Sequence, residues 1–260
     1  MGASISSLVF QPPPCSLCEV DYEQDPSYLL IDGKIRSFLF KRRSPLYLIF
    51  SHGNAEDINI IHDHLEGMSV MLNINVIGYE YPGYGSLGAC TPSEEQCYEA
   101  IDAVYGHLTE TLCIQPNCII LYGRSLGGGS SCYLAEKCSN NATPVGGVIL
   151  QSAFTSIFRV TYDFRFSLYG DMFCNIDRLP SLNNTPVWLI HGTHDEIVPF
   201  YHAEDNFDKI QEQFRCKPLY VLGGGHNDLE SLVAIGEESV FTRQFRQFIH
   251  DWVPAATASN

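Results

Sequence analysis

Short apolar runs alternate along the chain with stretches whose apolar residues recur every three or four positions, and the two patterns succeed each other in a βαβα rhythm. That rhythm predicts an α/β fold built on a mainly parallel sheet, because parallel strands need crossover connections and those connections cover both faces with helices. "YLLIDG" and "IRSFLF" predict a hairpin that turns at Asp32-Gly33 on one edge of the sheet. "LYLIFSHGN" (46–54), "INVIGYEYPGYG", "CIILY" (118–122), "VGGVILQS" (145–152), "PVWLIHG" (186–192) and "PLYVLGG" (218–224) supply six more strands, eight in all. Between them, 56–71 carries Ile58, Ile61, Leu65, Met68 and Met71 on one helical face. "TPSEEQCYEAIDAVYGHL" has the pattern of a capping box, with Thr91 as N-cap, Pro92 as first helical residue and Glu94 folding back. Further helical patterns lie near 126–138, 199–213 and 230–252. A chain of 260 residues with no internal linker predicts one core, divided as an N-terminal extension (1–26), a domain (27–253) and a tail (254–260).

Chemistry enters at "LYGRSLGG" (121–128), where Ser125 stands between two glycines as an apolar run gives way to a helical stretch. A serine exposed at a sharp strand-to-helix turn is forced into a strained backbone conformation, and residues two positions away on either side have no space for side chains. Gly123 and Gly127 meet that requirement, so the G-x-S-x-G pattern marks Ser125 as a candidate nucleophile. A phosphate-binding loop is the bland alternative, but no Lys-Ser/Thr follows and G-x-G-x-x-G is unmatched here.

A serine hydroxyl needs a base, and the base needs an orienting carboxylate; on this kind of sheet they follow in the order serine, acid, histidine, each after a later strand. "PVWLIHGTHDEIVP" puts Asp195 after the penultimate strand, and "PLYVLGGGHND" puts His226 after the last. Glu196 and Asp228 are rival carboxylates, the first one step further into its loop and the second only two residues from His226. His194 is the rival imidazole, although it neighbours the acid rather than facing it; His52 and His191 read as packed loop formers. The oxyanion of an acyl-transfer intermediate needs backbone donors. Leu126, immediately after the nucleophile, is one candidate, and Asn54 in "SHGNAED" is the other, with Ala55 adjacent; alternatively Asn54 only caps the helix beginning near 56. Glu80 and Tyr81 end a neighbouring strand and either line the pocket or are structural.

Charge narrows the range of partners. With 15 basic and 30 acidic residues the net charge is −15, which repels nucleic-acid backbones. The ten cysteines, in a chain whose start lacks a secretory signal pattern, read as reduced thiols, and Cys15-x-x-Cys18 has no second pair to complete a zinc site. Neither a metal nor an organic cofactor is expected. "MGASIS" fits the pattern for myristoylation of Gly2. One such chain binds membranes only marginally, at on the order of 10⁴ M⁻¹, so a second anchor is needed, for which Cys15 and Cys18 are candidates. The expectation is a cytoplasmic protein attached peripherally to the cytosolic face of membranes.

"FSHGNAED", "YEYPGYG", "NCIILYGRSLG", "VWLIHGTHDEIV" and "GGGHNDLE" resemble, block by block, the alpha/beta-hydrolase domain-containing 17 family, over nearly the whole chain. The resemblance implies an α/β-hydrolase fold and a lipid-anchored serine hydrolase that removes palmitate from cysteines of membrane proteins. It carries over Ser125 as nucleophile, Asp195 as acid and His226 as base. Departures are the lack of an N-terminal cysteine cluster, Arg124 where an uncharged residue is usual, and three consecutive glycines from Gly127 to Gly129. The resemblance also implies a short cap within 153–182, where these enzymes insert one, and a short cap leaves the site open to a bulky acylated protein or lipid-like ester. The cap aromatics Phe154, Phe158, Phe164, Phe166, Tyr169 and Phe173 either line an acyl groove or pack the cap onto the sheet. A small-molecule carboxylesterase, monoacylglycerol-type lipase or serine peptidase shares every one of these catalytic residues, and a non-catalytic scaffold is the rival of another class.

Overall fold

The computed structural model describes residues 9–13, 24–85, 90–162, 166, 169–229 and 239–257. Gly2, Cys15, Cys18 and Phe164 lie outside them. Eight strands form one sheet in the order β1-β2-β4-β3-β5-β6-β7-β8. They are β1 (Tyr28–Ile31), β2 (Ile35–Phe40), β3 (Tyr47–Ser51), β4 (Asn75–Tyr79), β5 (Ile119–Arg124), β6 (Gly147–Gln151), β7 (Val187–Gly192) and β8 (Leu219–Val221). The predicted edge hairpin is present: β1 and β2 pair antiparallel, and Asp32 and Gly33 take φ of 51° and 68°, the left-handed values that a tight hairpin turn demands. β2 is also antiparallel to β4, while every pairing from β4 to β8 is parallel.

Helices α1 (His62–Leu72), α2 (Glu94–Gly106), α3 (Gly127–Asn140), α4 (Ile157–Tyr162), α5 (Asn175–Arg178), α6 (Tyr201–Lys209), α7 (Val240–Trp252) and α8 (Pro254–Thr257) complete the layers. Successive side chains along a strand face opposite ways, so each parallel strand feeds two cores. Leu48, Phe50, Ile120, Tyr122 and Trp188 pack with Leu65 and Met68 of α1 and Phe241, Phe245 and Phe248 of α7. On the other face Ile49, Ile77, Leu121 and Val148 pack with Ile101 and Val104 of α2 and Cys132 and Leu134 of α3. Both clusters are buried, which is the main term holding the layers together at roughly 25 cal/mol per Å² of apolar surface removed from water.

Two helix starts differ from expectation. The first helix begins at His62 rather than 56, because the Asp57 carboxylate accepts from the N–H groups of Asn59 and Ile60, both at 2.9 Å, and holds that stretch in turns. Ile58 and Ile61 are nevertheless buried on the predicted face. The second helix is capped by Ser93, whose hydroxyl accepts from Gln96 N–H, and not by Thr91. Pro92 remains outside the helix, packed so close to Gly83 that a Cβ there would approach its ring to 2.6 Å. Glu94 is drawn away from a capping role: its carboxylate accepts from Phe173 N–H (2.6 Å) and from the Tyr98 hydroxyl (2.5 Å).

The ends of the chain are also more integrated than the expected divisions. Val9 and Phe10 are buried in the core beside α3, and α8, within the expected tail, contributes the buried Ala255. Of the cap aromatics, Phe154 and Phe173 are fully packed, Phe158 is partly buried, and Phe166 and Tyr169 are exposed. The Phe173 ring packs against Tyr98 of α2 and Gly129 of α3, which fastens the cap to that helical layer.

Gly67 tests the helix assignment. It lies inside α1 with nothing within 4 Å of the position a Cβ would occupy. Gly67→Ala is expected to raise the unfolding free energy by about 0.5–1 kcal/mol, the propensity difference between the two residues in a helix interior, measured by denaturant titration.

Candidate active site

Chain order places a crevice at the C-terminal end of the parallel strands. After β3 the chain moves to β4 on one side, and after the next helix it returns to β5 on the other, so β3 and β5 are neighbours whose connections leave in opposite directions. Ligands of open α/β sheets bind at such a switch point. The loop after β3 carries Gly53 and Asn54, and the turn after β5 carries Ser125.

Ser125 adopts φ of 51°, left-handed backbone that an L-residue takes only when its surroundings impose it. The surroundings are visible. A Cβ at Gly127 would lie 2.0 Å from the Ser51 carbonyl oxygen, and one at Gly123 would lie 2.6 Å from the Gly127 oxygen. Both glycines are required by backbone, which cannot swing aside as a side chain can. The same logic extends to the next two: a Cβ at Gly128 would meet Ala153 at 2.8 Å, and one at Gly129 would meet the Phe173 ring at 2.1 Å. The triple glycine thus allows α3 to pack directly on β3 and on the cap. Ser125 N–H donates to the Gln151 carbonyl at 2.9 Å, which ties the turn to β6. Leu126 follows at the very start of α3, where N–H groups have no intrahelical acceptor.

The acid and the imidazole are brought together by a second close approach of backbone. A Cβ at Gly192 would lie 2.2 Å from the Gly224 oxygen, so the ends of β7 and β8 meet without side chains between them. Thr193 N–H donates to Val221 O (3.0 Å) and His194 N–H to Gly224 O (2.9 Å), zipping the two loops. Asp195, its carboxylate fully buried, accepts on Oδ1 from Ile197 N–H (2.9 Å) and Val198 N–H (2.7 Å), and on Oδ2 from His226 Nδ1 (2.8 Å). Nδ1–H donation leaves Nε2 of His226 with its lone pair, the tautomer that a general base needs. Burial alone would raise the Asp195 pKa, but the hydrogen bond and charge of His226, with Val198 N–H and His191, hold it below the ordinary carboxylate value. The rivals have other positions: Glu196 and His194 are exposed, and Asp228 Oδ1 accepts from Gly225 N–H (2.7 Å) to shape the loop that carries His226. His191 is buried, donates through Nε2 to the Val198 carbonyl (2.8 Å), and has its pKa lowered chiefly by burial.

The loop after β3 passes close to Ser125, since a Cβ at Gly53 would be 3.9 Å from Ser125 Cβ. The Asn54 side chain does not cap a helix. Its Oδ1 accepts from Gln11 N–H (2.9 Å) and Tyr84 Oη (2.5 Å), and its Nδ2 donates to Val9 O (2.6 Å), so a role at the oxyanion falls to its backbone N–H. Sequence reasoning missed a charged clasp around this site. Glu56 Oε2 accepts from Gly53 N–H (2.7 Å), Glu56 Oε1 pairs with Arg124, and Arg124 Nη2 donates to Asn227 Oδ1 (3.0 Å). Three loops, those of Gly53, Ser125 and His226, are thereby tied together. The unusual charge at Arg124 was its signal in the sequence, but its partners are 68 and 103 residues away.

No family model matches the chain. Among curated proteins it is 38% identical over 196 residues to alpha/beta hydrolase domain-containing protein 17B of Xenopus tropicalis, covering 74% of this chain and 65% of that one. It is 33% identical over 226 residues to protein 17C of Xenopus laevis, covering 85% and 68%. The chain thus spans about two thirds of the length of these relatives. Among solved structures, a sugar hydrolase from Lactococcus lactis superposes with a TM-score of 0.66 at 17% identity, over 90% of this chain and 98% of that one. A monoacylglycerol lipase from Paleococcus ferrophilus gives 0.56 at 17% identity, over 85% and 98%. At that identity the likeness speaks for the α/β-hydrolase fold alone.

The depressed pKa of Asp195 makes a stability prediction. A carboxylate held below its unfolded value near 3.9 contributes fully above about pH 5, and the contribution is lost as pH falls through the native pKa. Asp195→Asn is expected to unfold about 1.5–3 kcal/mol more easily at pH 7. That gap should narrow steadily in strong acid when urea unfolding is followed as a function of pH.

Proposed function

The chain belongs to the alpha/beta hydrolase domain-containing protein 17 family, and from that premise we propose that this α/β hydrolase is a serine hydrolase that cleaves acyl thioesters, with S-palmitoylated membrane proteins as its substrates. The observation that carries the reading is the Asp195–His226 hydrogen bond of 2.8 Å, in loops adjoining a serine held at φ of 51°.

In this mechanism Ser125 Oγ attacks the thioester carbonyl while His226 Nε2 takes the hydroxyl proton. Asp195 keeps the imidazole in the required tautomer and stabilises the imidazolium that forms. The charge that develops on the carbonyl oxygen is taken up by the N–H groups of Leu126 and Asn54. Collapse expels the cysteine thiolate, which leaves as a thiol with the proton held by His226. Water, activated by the same imidazole, then attacks the acyl-enzyme and releases the fatty acid and free Ser125. A thiolate is a good leaving group, so stabilisation of the oxyanion is the larger part of what the protein must supply.

The N-terminal extension completes the proposal. Gly2 carries myristate, and Cys15 or Cys18 is the candidate for a second acyl anchor that holds the enzyme peripherally on the cytosolic face of the membrane. No helix among the described residues is long and apolar enough to cross a membrane.

Two experiments test these statements. A fluorophosphonate probe is expected to label the wild-type chain and not Ser125→Ala, and the variant should lose roughly 10⁴-fold or more in turnover of an S-palmitoylated peptide. Equal labelling of the variant would remove Ser125 as nucleophile; turnover of glycerol esters or aminoacyl amides with the palmitoyl peptide left intact would replace the substrate class. In cells, Gly2→Ala should move the protein from the membrane to the soluble fraction, and an unchanged distribution would refute anchoring through myristate.

A further inference from the structure

Behind the loop of Gly53 lies a buried histidine–glutamate contact that the proposed mechanism leaves unused. His52 is completely buried at the end of β3, and Glu80 is buried at the end of β4. His52 Nε2 lies 3.1 Å from Glu80 Oε1, and Nδ1 lies 2.8 Å from the Gly53 carbonyl oxygen. A carbonyl can only accept. Glu80 is also an acceptor on its other contacts, with Tyr81 N–H on Oε1 and Ile58 N–H on Oε2, both at 3.2 Å. Nδ1 therefore carries a proton and donates to the Gly53 carbonyl, while Nε2 faces the Glu80 carboxyl group. Its faces are closed by aromatic rings, Tyr81 with centroids 4.1 Å apart and Tyr84 at 5.6 Å, and the Tyr81 hydroxyl donates to the His52 carbonyl at 2.9 Å. Burial alone would lower the His52 pKa; the hydrogen bond and charge of Glu80, helped by the Gly53 carbonyl and Glu56, outweigh it and raise the pKa above the ordinary value.

The Gly53 carbonyl belongs to the peptide unit whose other end is the N–H of Asn54. That unit is trans, as are all the described peptide bonds, so its C=O and N–H point in opposite directions. Whatever fixes the carbonyl fixes the donor. We infer that His52 is a positioning residue for acyl transfer: by holding the Gly53 carbonyl from behind, the His52–Glu80 pair turns the Asn54 N–H toward the oxygen of a substrate bound at Ser125. Without such a hold, Gly53 would be the most freely rotating residue of the loop, since glycine has no Cβ to restrict it. Glu56 Oε2 restrains the preceding peptide through the Gly53 N–H at 2.7 Å, so both units that flank the glycine are held by side chains.

The inference rests on the serine-hydrolase reading, and the test keeps the two apart by first showing that turnover depends on Ser125. Asparagine places its amide nitrogen near the position of a histidine Nδ1, whereas glutamine places it near Nε2. His52→Asn therefore keeps the donor to the Gly53 carbonyl, and His52→Gln keeps only the partner of Glu80. With a thioester substrate, His52→Gln is expected to lose roughly 10²-fold in kcat, the scale of a misplaced catalytic group, with KM changed less than about threefold. His52→Asn should stay within about tenfold of wild type. Thermal unfolding of each variant separates loss of fold from loss of position. Equal activity of the Asn and Gln variants would overturn the inference. Absence of Ser125-dependent turnover in the wild type would instead overturn the reading beneath it.

Discussion

The architecture of the site depends on one contact between backbones, that of Gly127 against the carbonyl of Ser51. The start of α3 lies so close to the end of β3 that even a methyl group at Gly127 would stand 2.0 Å from that oxygen. To bring the helix so near, the chain leaving β5 has to reverse within a single residue, and Ser125 takes a left-handed φ of 51° to do it. A non-glycine residue held there costs on the order of 1–3 kcal/mol and persists only when its neighbours over-determine it. The neighbours are the Gln151 carbonyl, which accepts from Ser125 N–H, and the packed glycine face of α3. The strain has a location that matters: the switch point between β3 and β5, next to the loop of Gly53.

The other half of the site rests on a similar contact one layer further along the sheet. Gly192 and Gly224 let β7 and β8 end against each other, and the two hydrogen bonds of Thr193 and His194 lock the loops that carry Asp195 and His226. β6 lies between these halves. Arg124 spans the gap, because it reaches Glu56 on the Gly53 side and Asn227 on the His226 side. A guanidinium suits that task better than an ammonium would, since its planar fork presents separate N–H groups to partners on two sides.

Much of this was legible in the sequence, for identifiable reasons. The six strands β3 to β8 were readable because buried parallel strands are continuous apolar runs, the edge hairpin because of its Asp32-Gly33 turn, and the candidates Ser125, Asp195 and His226 were picked out by one chain order, after β5, β7 and β8. The glycines at 123 and 127 were readable because their role is local. What escaped was determined by partners distant in sequence or by competing side-chain bonds. Asp57 caps its own turn and delays the helix to His62; Glu94 is claimed by Phe173 instead of by a capping box; Gly128 and Gly129 owe their identity to Ala153 and Phe173. The tie from His52 to the Gly53 carbonyl was equally hidden, because it depends on how the fold sets the ring between that carbonyl and Glu80.

Asn54 shows how closely the N-terminal extension is joined to this machinery. Its side chain holds Val9 and Gln11 while its backbone continues the loop beside Ser125. Phe10, the residue between, meets the ring of Phe173 edge-on with centroids 6.0 Å apart, and that ring in turn fills the space left by Gly129 in the first turn of α3. Two packed routes therefore lead from the extension to the site, one to the loop after β3 and one to the helix that follows the strained serine. The interior of a protein is dense enough to pass a displacement along such contacts with little loss. Residues 9–11 thus belong to the same packed unit as the loop beside Ser125 and the first turn of α3.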